Sequence, residues 1–281
     1  MRVIDCLHLG RERVIGCWQV GEVLIDPGPG SCLATLLAEL GDWRPRALLL
    51  THIHLDHAGA TGSLVARWPD LDVYVHESGA PHMVDPSRLL SSARRVYGDD
   101  MDRLWGEFLP VPEDRLRPLH GGERLTLHGA EFEVAYTPGH ASHHVSYLHE
   151  GTAFVGDVGG VRIVPEGPVI PPTPPPDIDI PEWQRSLDLI AAWQPERLAM
   201  THFGLGGPVA EQLEQLSRRL ELWGEIALHS DEHGFAREVM AELRSQAPAE
   251  LIDAYEQAAP AAQLYAGLRR YWLGSGALER G

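Results

Sequence analysis

The sequence contains no lysine and no asparagine; all 23 basic side chains are arginine. Schiff-base catalysis, a phosphate loop with its lysine and an oxyanion hole built on asparagine are thereby excluded. Cysteine is scarce: Cys6, Cys17 and Cys32 form no C-x-x-C pair and no disulfide framework. No apolar run approaches the ~20 residues a helix needs to span a bilayer, and the opening Met1-Arg2-Val3-Ile4-Asp5 reads as a strand rather than a signal peptide. The expectation is a cytoplasmic protein with no membrane partner. Basic charge is also short, 23 residues against 40 acidic ones for a formal net charge of −17. Such a surface repels polyanions, so no nucleic-acid partner is expected.

What remains is ordinary for a soluble globular chain, with 44% hydrophobic and 22% charged residues over 281 positions. Up to about residue 200, short Val- and Ile-rich runs alternate with helical periodicity. Strands are expected at 3–9, 13–20, 23–25, 47–51, 72–76, 123–128, 131–136, 145–149, 153–155 and 197–201, and helices at 31–40, 58–68 and 181–193. The weakly periodic segment 80–110, with Trp105 and Phe108, reads as helical turns over one edge. Seven prolines fall in 165–176, which predicts an ordered or polyproline-like loop. From 208 on, three helices are expected at 208–229, 232–246 and 249–273. The domain expectation is therefore a catalytic domain over 1–207 and a helical C-terminal subdomain over 208–281, the latter carrying Tyr255, Tyr265, Tyr271 and Trp272.

Histidine is abundant, at 15 residues. Four ligand-type side chains fall in the six residues His52-Ile53-His54-Leu55-Asp56-His57, at the end of an expected buried strand. Along a strand His52 and His54 face one side, and the turn beyond can aim Asp56 and His57 elsewhere, so one short loop can serve two neighbouring metal ions. Imidazole and carboxylate without thiolate suit Zn2+, Fe2+ or Mn2+. His140, Asp157 and His202 also follow strands, where the functional side chains of layered α/β proteins gather.

The pattern His52-x-His54-x-Asp56-His57 with His140, Asp157 and His202 resembles the metallo-β-lactamase fold superfamily of dinuclear metallohydrolases. Ile25-Asp26-Pro27-Gly28, Thr137-Pro138-Gly139-His140 and Val155-Gly156-Asp157 match as well, and the resemblance covers about residues 1–205. It implies an α/β fold, a four-layer αββα sandwich with metals at one edge, here with a helical C-terminal appendage. It also implies two divalent ions, Zn2+ ahead of Fe2+ or Mn2+. One would take His52, His54 and His140, the other Asp56, His57 and His202, with Asp157 bridging and a hydroxide between them. Two ions, two carboxylates and that hydroxide leave a charge of +1, suited to a developing oxyanion. Asp56 and Asp157 are the catalytic carboxylates in this scheme.

Asp26 is a candidate support for a ligand histidine, balanced against a simple turn-forming role. His143, His144 and Arg162 are weaker candidates for substrate contact. The expected reaction is hydrolysis of a carboxylic ester, lactone or thioester on a small molecule. A phosphoester or phosphotriester hydrolase, an iron-dependent persulfide dioxygenase and a non-catalytic scaffold are the alternatives. A homodimer is the default assembly.

Overall fold

The computed structural model describes residues 1–277; the last four positions of the segment expected at 208–281 lie outside the described residues. The chain divides into two compact units, one made of 1–136 and 145–150, the other of 137–144 and everything from 151 on.

The first unit is built on a six-stranded sheet, in the order β1 (Arg2–Asp5), β2 (Gly16–Val20), β3 (Val23–Ile25), β4 (Ala47–Leu49), β5 (Asp72–His76) and β6 (Leu116–Leu119). The first three strands are antiparallel, and β3 to β6 run parallel. Every residue of β3 and β4 is buried, as a strand covered on both faces requires. Because β3, β4 and β5 are parallel, the loops that leave their carboxyl ends line up along one edge of the sheet. The helices are α1 (Leu33–Leu40), α2 (Leu55–Ala58), α3 (Thr61–Arg67), α4 (Ala80–Val84), α5 (Ser87–Tyr97) and α6 (Met101–Trp105). An antiparallel meander of β7 (Arg124–Leu127), β8 (Ala130–Tyr136) and β9 (Val145–His149) completes the unit. Tyr147 on β9 is buried and its hydroxyl donates to the Leu50 carbonyl at 2.7 Å. Cys6, Cys17 and Cys32 are all free and buried, and burial pushes the Cys32 thiol up to about 11.

The second unit contains β10 (Thr152–Phe154), β11 (Arg197–Met200) and β12 (Gly204–Leu205), with β10 parallel and β12 antiparallel to β11. Its helices are α7 (Ile180–Ala192), α8 (Val209–His229), α9 (Glu232–Gln246), α10 (Ile252–Ala258) and α11 (Ala261–Ser275). Helix α7 begins where Asp179 accepts the Glu182 amide at 2.8 Å and a proline occupies the first turn, both favoured there. The core is aromatic and aliphatic: Phe154, Trp183, Trp223, Phe235, Tyr255 and Leu268 are all at or below 1% exposure.

Some boundaries differ from the sequence expectation. The strand at 3–9 ends at Asp5, and His8–Gly10 forms a short turn instead. The helix expected at 58–68 is α3, Thr61–Arg67, and it is preceded by the unexpected short helix α2, so Asp56 and His57 sit on a helical turn of their own. Strand β6 escaped prediction because it contains Pro118; it is tolerated because β6 lies at the sheet edge, paired only with β5. The third tail helix is split, because Pro260 ends α10 and starts α11. Among the described residues no helix is long and apolar enough to cross a membrane.

Candidate metal centre

The buried strand β4 delivers the chain to Leu50, whose amide still bonds the Tyr74 carbonyl of β5. Thr51 then meets Asp26, which leaves β3 with a positive φ of 50°. Asp26 is completely buried. Its Oδ1 accepts the Thr51 amide at 2.8 Å and its Oδ2 accepts the Thr51 hydroxyl at 2.7 Å. The same Oδ2 lies 2.8 Å from His57 Nδ1. Asp26 therefore ties the start of the histidine loop to its end and holds the His57 imidazole. His54 is extended, with ψ 153°, and caps α2, whose one turn carries Asp56 and His57. Three rings are gathered: the His52 centroid is 4.5 Å from that of His54 and 4.0 Å from that of His57. An Asp56 oxygen lies 3.9 Å from His57 Nε2, and the Asp56 side chain keeps 20% exposure.

In the second unit, Asp157 sits on the short helical turn Gly156–Gly159 that follows β10. Its Oδ2 is 3.3 Å from His140 Nε2 and its Oδ1 is 3.5 Å from His202 Nε2. One carboxylate thus turns a different oxygen to each of two imidazoles, and all three side chains are buried. His140 Nδ1 donates to the Pro172 carbonyl at 2.8 Å. Trp183 of α7 braces both ligand segments: its ring meets the His140 ring edge-on with centroids 5.5 Å apart, and its Nε1 donates to the Val158 carbonyl at 3.0 Å. Gly139 makes this packing achievable, because its φ is +125° and a Cβ there would stand 2.3 Å from the Trp183 backbone.

The donor set fits divalent metal ions. His57 and His140 each commit Nδ1 to an oxygen acceptor, and His52 Nδ1 lies 3.1 Å from the Thr51 hydroxyl. This fixes Nε2 as the remaining donor of each ring, the arrangement ligand histidines adopt. His52, His54, Asp56 and His57 in the first unit, and His140, Asp157 and His202 in the second, are imidazole and carboxylate groups without thiolate, ligand types that suit a divalent ion.

The weaker candidates are placed as follows. His144 is fully buried with Nδ1 2.9 Å from the Thr137 hydroxyl, and His143 is nearly buried. Arg162 is 3% exposed; its Nη1 donates to Gln212 Oε1 at 3.3 Å and its Nη2 lies 3.8 Å from Glu211. Gln212, which sequence reading passed over, is a fully buried polar side chain on α8 that also donates to the Gly159 carbonyl at 3.0 Å. Its only sequence signal is a polar residue on the apolar stripe of an amphipathic helix.

The family profile of the metallo-beta-lactamase superfamily matches residues 21–202. The chain belongs to that superfamily, a family of dinuclear metal-binding enzymes with the αββα sandwich fold, and is a metal-binding hydrolase of that class. It is 30% identical over 231 residues to the metallo-beta-lactamase fold-containing protein ST1585 of Sulfurisphaera tokodaii, covering 80% of this chain and 84% of that one. The solved structure of ST1585 superposes with a TM-score of 0.72 at 23% identity, over 95% of this chain and 97% of that one. The chain is also 33% identical over 135 residues to the hydroxyacylglutathione hydrolase of Cronobacter sakazakii, a match that spans 48% of this chain and 41% of that enzyme. The structure of TTHA1623 in a di-iron-bound form matches with a TM-score of 0.55 at 30% identity, over 72% of this chain and 93% of that one.

Proposed function

We propose that this protein hydrolyses a carboxylic ester, lactone or thioester on a small molecule at a pair of divalent ions. The observation that carries the reading is the Asp157 carboxylate held between His140 and His202 at 3.3 and 3.5 Å, the arrangement of a ligand shared by two ions. Each unit contributes ligand-type side chains to the reading, His52, His54, Asp56 and His57 in the first and His140, Asp157 and His202 in the second. The proposed assignment gives His52, His54 and His140 to one ion, Asp56, His57 and His202 to the second, and Asp157 to both. Two bound divalent ions would supply Lewis acidity and a nucleophile available near pH 7.

The chain's own groups then do the following. With ions bound, the five histidines would serve as neutral donors and Asp56 and Asp157 would carry the only negative side-chain charge, leaving the site net positive. Asp26 and the Pro172 carbonyl hold His57 and His140 in the tautomer that leaves Nε2 for the ion. Asp157, at 5% side-chain exposure, would hold position, and the more exposed Asp56 would pass a proton to the departing group. Similarity to a hydroxyacylglutathione hydrolase over nearly half the chain favours an acyl group as the electrophile. Zinc is the proposed metal, and the di-iron-bound form of TTHA1623 makes iron the second candidate.

The test is metal analysis of the purified protein, followed by reconstitution with zinc, manganese or iron and a panel of p-nitrophenyl esters, lactones, thioesters, phosphotriesters and a persulfide. Two ions per chain and acyl hydrolysis are expected, with at least about 100-fold loss in Asp157→Ala and His140→Ala. Unchanged turnover in either variant, phosphotriester cleavage alone, or oxygen uptake on the persulfide with a single iron would each overturn the assignment.

A further inference from the structure

The three ligand candidates of the second unit share one property. Each lies in a segment tied by side-chain hydrogen bonds to the helices that follow residue 208. For Asp157 the tie is short: Gln212 Nε2 on α8 donates to the carbonyl of Gly159, two residues along the same helical turn, at 3.0 Å. For His202 it runs through Arg162. The Arg162 amide donates to the His202 carbonyl at 2.5 Å, the Phe203 amide donates back to the Arg162 carbonyl at 3.2 Å, and the Arg162 guanidinium donates to Gln212 Oε1. One buried amide side chain therefore spans the supports of two ligand candidates.

For His140 the tie runs through the proline-rich loop. The Pro172 carbonyl that orients His140 belongs to a strand of backbone fixed on both sides by the tail. Thr173 Oγ1 donates to the Leu264 carbonyl of α11 at 3.0 Å, and the Thr173 carbonyl lies against Gly267 so closely that a Cβ there would stand 2.0 Å from it. Upstream, the Tyr255 hydroxyl of α10 donates to the Pro168 carbonyl at 2.8 Å, and Arg219 Nη1 of α8 donates to the Val169 carbonyl at 2.6 Å. Downstream, Arg270 Nε donates to the Pro176 carbonyl at 3.1 Å. Prolines have few amides to anchor a loop with, so side chains from outside supply the bonds. Burial holds the Tyr255 phenol up at about 12, so it remains a donor throughout the working pH range.

We propose that the C-terminal helices are the positioning frame of the metal centre, with Gln212 and Thr173 as positioning residues for Asp157, His202 and His140. This rests on those three residues being metal ligands. Outer partners of metal ligands fix ring tautomer and carboxylate direction, and their loss costs about 10–100-fold in metal affinity. A frame of this kind acts on how tightly the ions are held and on the turnover step more than on substrate capture.

The experiment uses the full chain and three substitutions: Gln212→Met, which keeps the volume and removes its bonds to Gly159, Arg162 and Met200; Thr173→Val, which removes only the bond to Leu264; and Gln184→Ala. Gln184 joins α7 to Glu221 of α8 on the exposed side and serves as the control. Zinc affinity is read by chelator competition, ligand geometry by the visible spectrum of the cobalt-loaded protein, and kcat and KM separately. The frame predicts weaker zinc retention by about 10-fold or more in Gln212→Met, an altered cobalt spectrum, and a fall in kcat larger than any rise in KM. Thr173→Val should move the same readouts in the same direction by less, and Gln184→Ala should move none. Variants that melt at lower temperature yet keep wild-type zinc affinity and cobalt spectrum would overturn the proposal, leaving the tail as packing alone. If Gln212→Met does not fold, Thr173→Val decides. A wild-type chain that holds no ion pair would instead bring down the ligand assignment itself, which keeps the two failures apart.

Discussion

Asp26 and His57 are locked together, with Oδ2 2.8 Å from Nδ1 and both side chains essentially shut off from solvent. The pair joins the carboxyl end of β3 to the far end of the histidine loop, and its orientation is reinforced by Thr51 on the same carboxylate. Removing the carboxylate strands the Thr51 amide and frees the His57 ring to turn. Asp26→Ala is expected to weaken the ion assigned to His57 by about 10–100-fold while the ion assigned to His52, His54 and His140 is held more nearly as before. Chelator titration resolved into two sites measures this, and equal affinity at both sites in variant and wild type would count against it.

Gly139 and Trp183 make a backbone-level fit, with no flexible side-chain end to give way. A Cβ at 139 meets the Trp183 Cα and N at 2.3 Å, and φ is +125°. Strain and overpacking each cost about 1–3 kcal/mol, so Gly139→Ala should lose roughly 2–6 kcal/mol of stability. Urea midpoints compared at equal slope report it. A loss under about 0.5 kcal/mol, the scale of an ordinary surface change, would refute the packing argument.

His76 gives a pH signature. Burial lowers its pKa, an effect opposed by Glu77 and Glu123 and reinforced by His120, and its ring stacks on Tyr136 with centroids 4.4 Å apart. A histidine with a depressed native pKa binds its proton more readily in the unfolded chain. Stability contributed at this site is therefore full above the unfolded value near 6.5 and declines as pH falls toward the native value. His76→Phe should remove that slope. The difference between variant and wild-type urea midpoints, followed from about pH 7 down to pH 5, should narrow in absolute stability or change sign in favour of the variant as acid is added. A difference that stays constant across that range would exclude the linkage.

Much of this was legible in the sequence. The buried run before Thr51, the dense loop His52–His57 and the strand-end placement of His140, Asp157 and His202 carry local signals, because a ligand loop must follow a strand and a buried parallel strand must be apolar throughout. Gly139 before His140 was visible as a motif, though its contact with Trp183 was not. What stayed hidden depends on contacts distant in sequence. Nothing local says that Asp26 reaches His57, that Gln212 is buried between Gly159 and Arg162, or that Pro118 belongs to an edge strand. Arg162 read as a base near the site; its 3% exposure and its bonds to Gln212 are facts of tertiary packing that no window of sequence contains.

Helix α5, from Ser87 to Tyr97, has no buried residue at all. Opening it forfeits little apolar burial, whereas opening β3 or β4 forfeits a core. Amide hydrogens in α5 should therefore exchange by small, frequent excursions, while those of the parallel strands wait for global unfolding. The expected outcome is an uneven clock, with α5 breathing often beside a sheet that rarely opens.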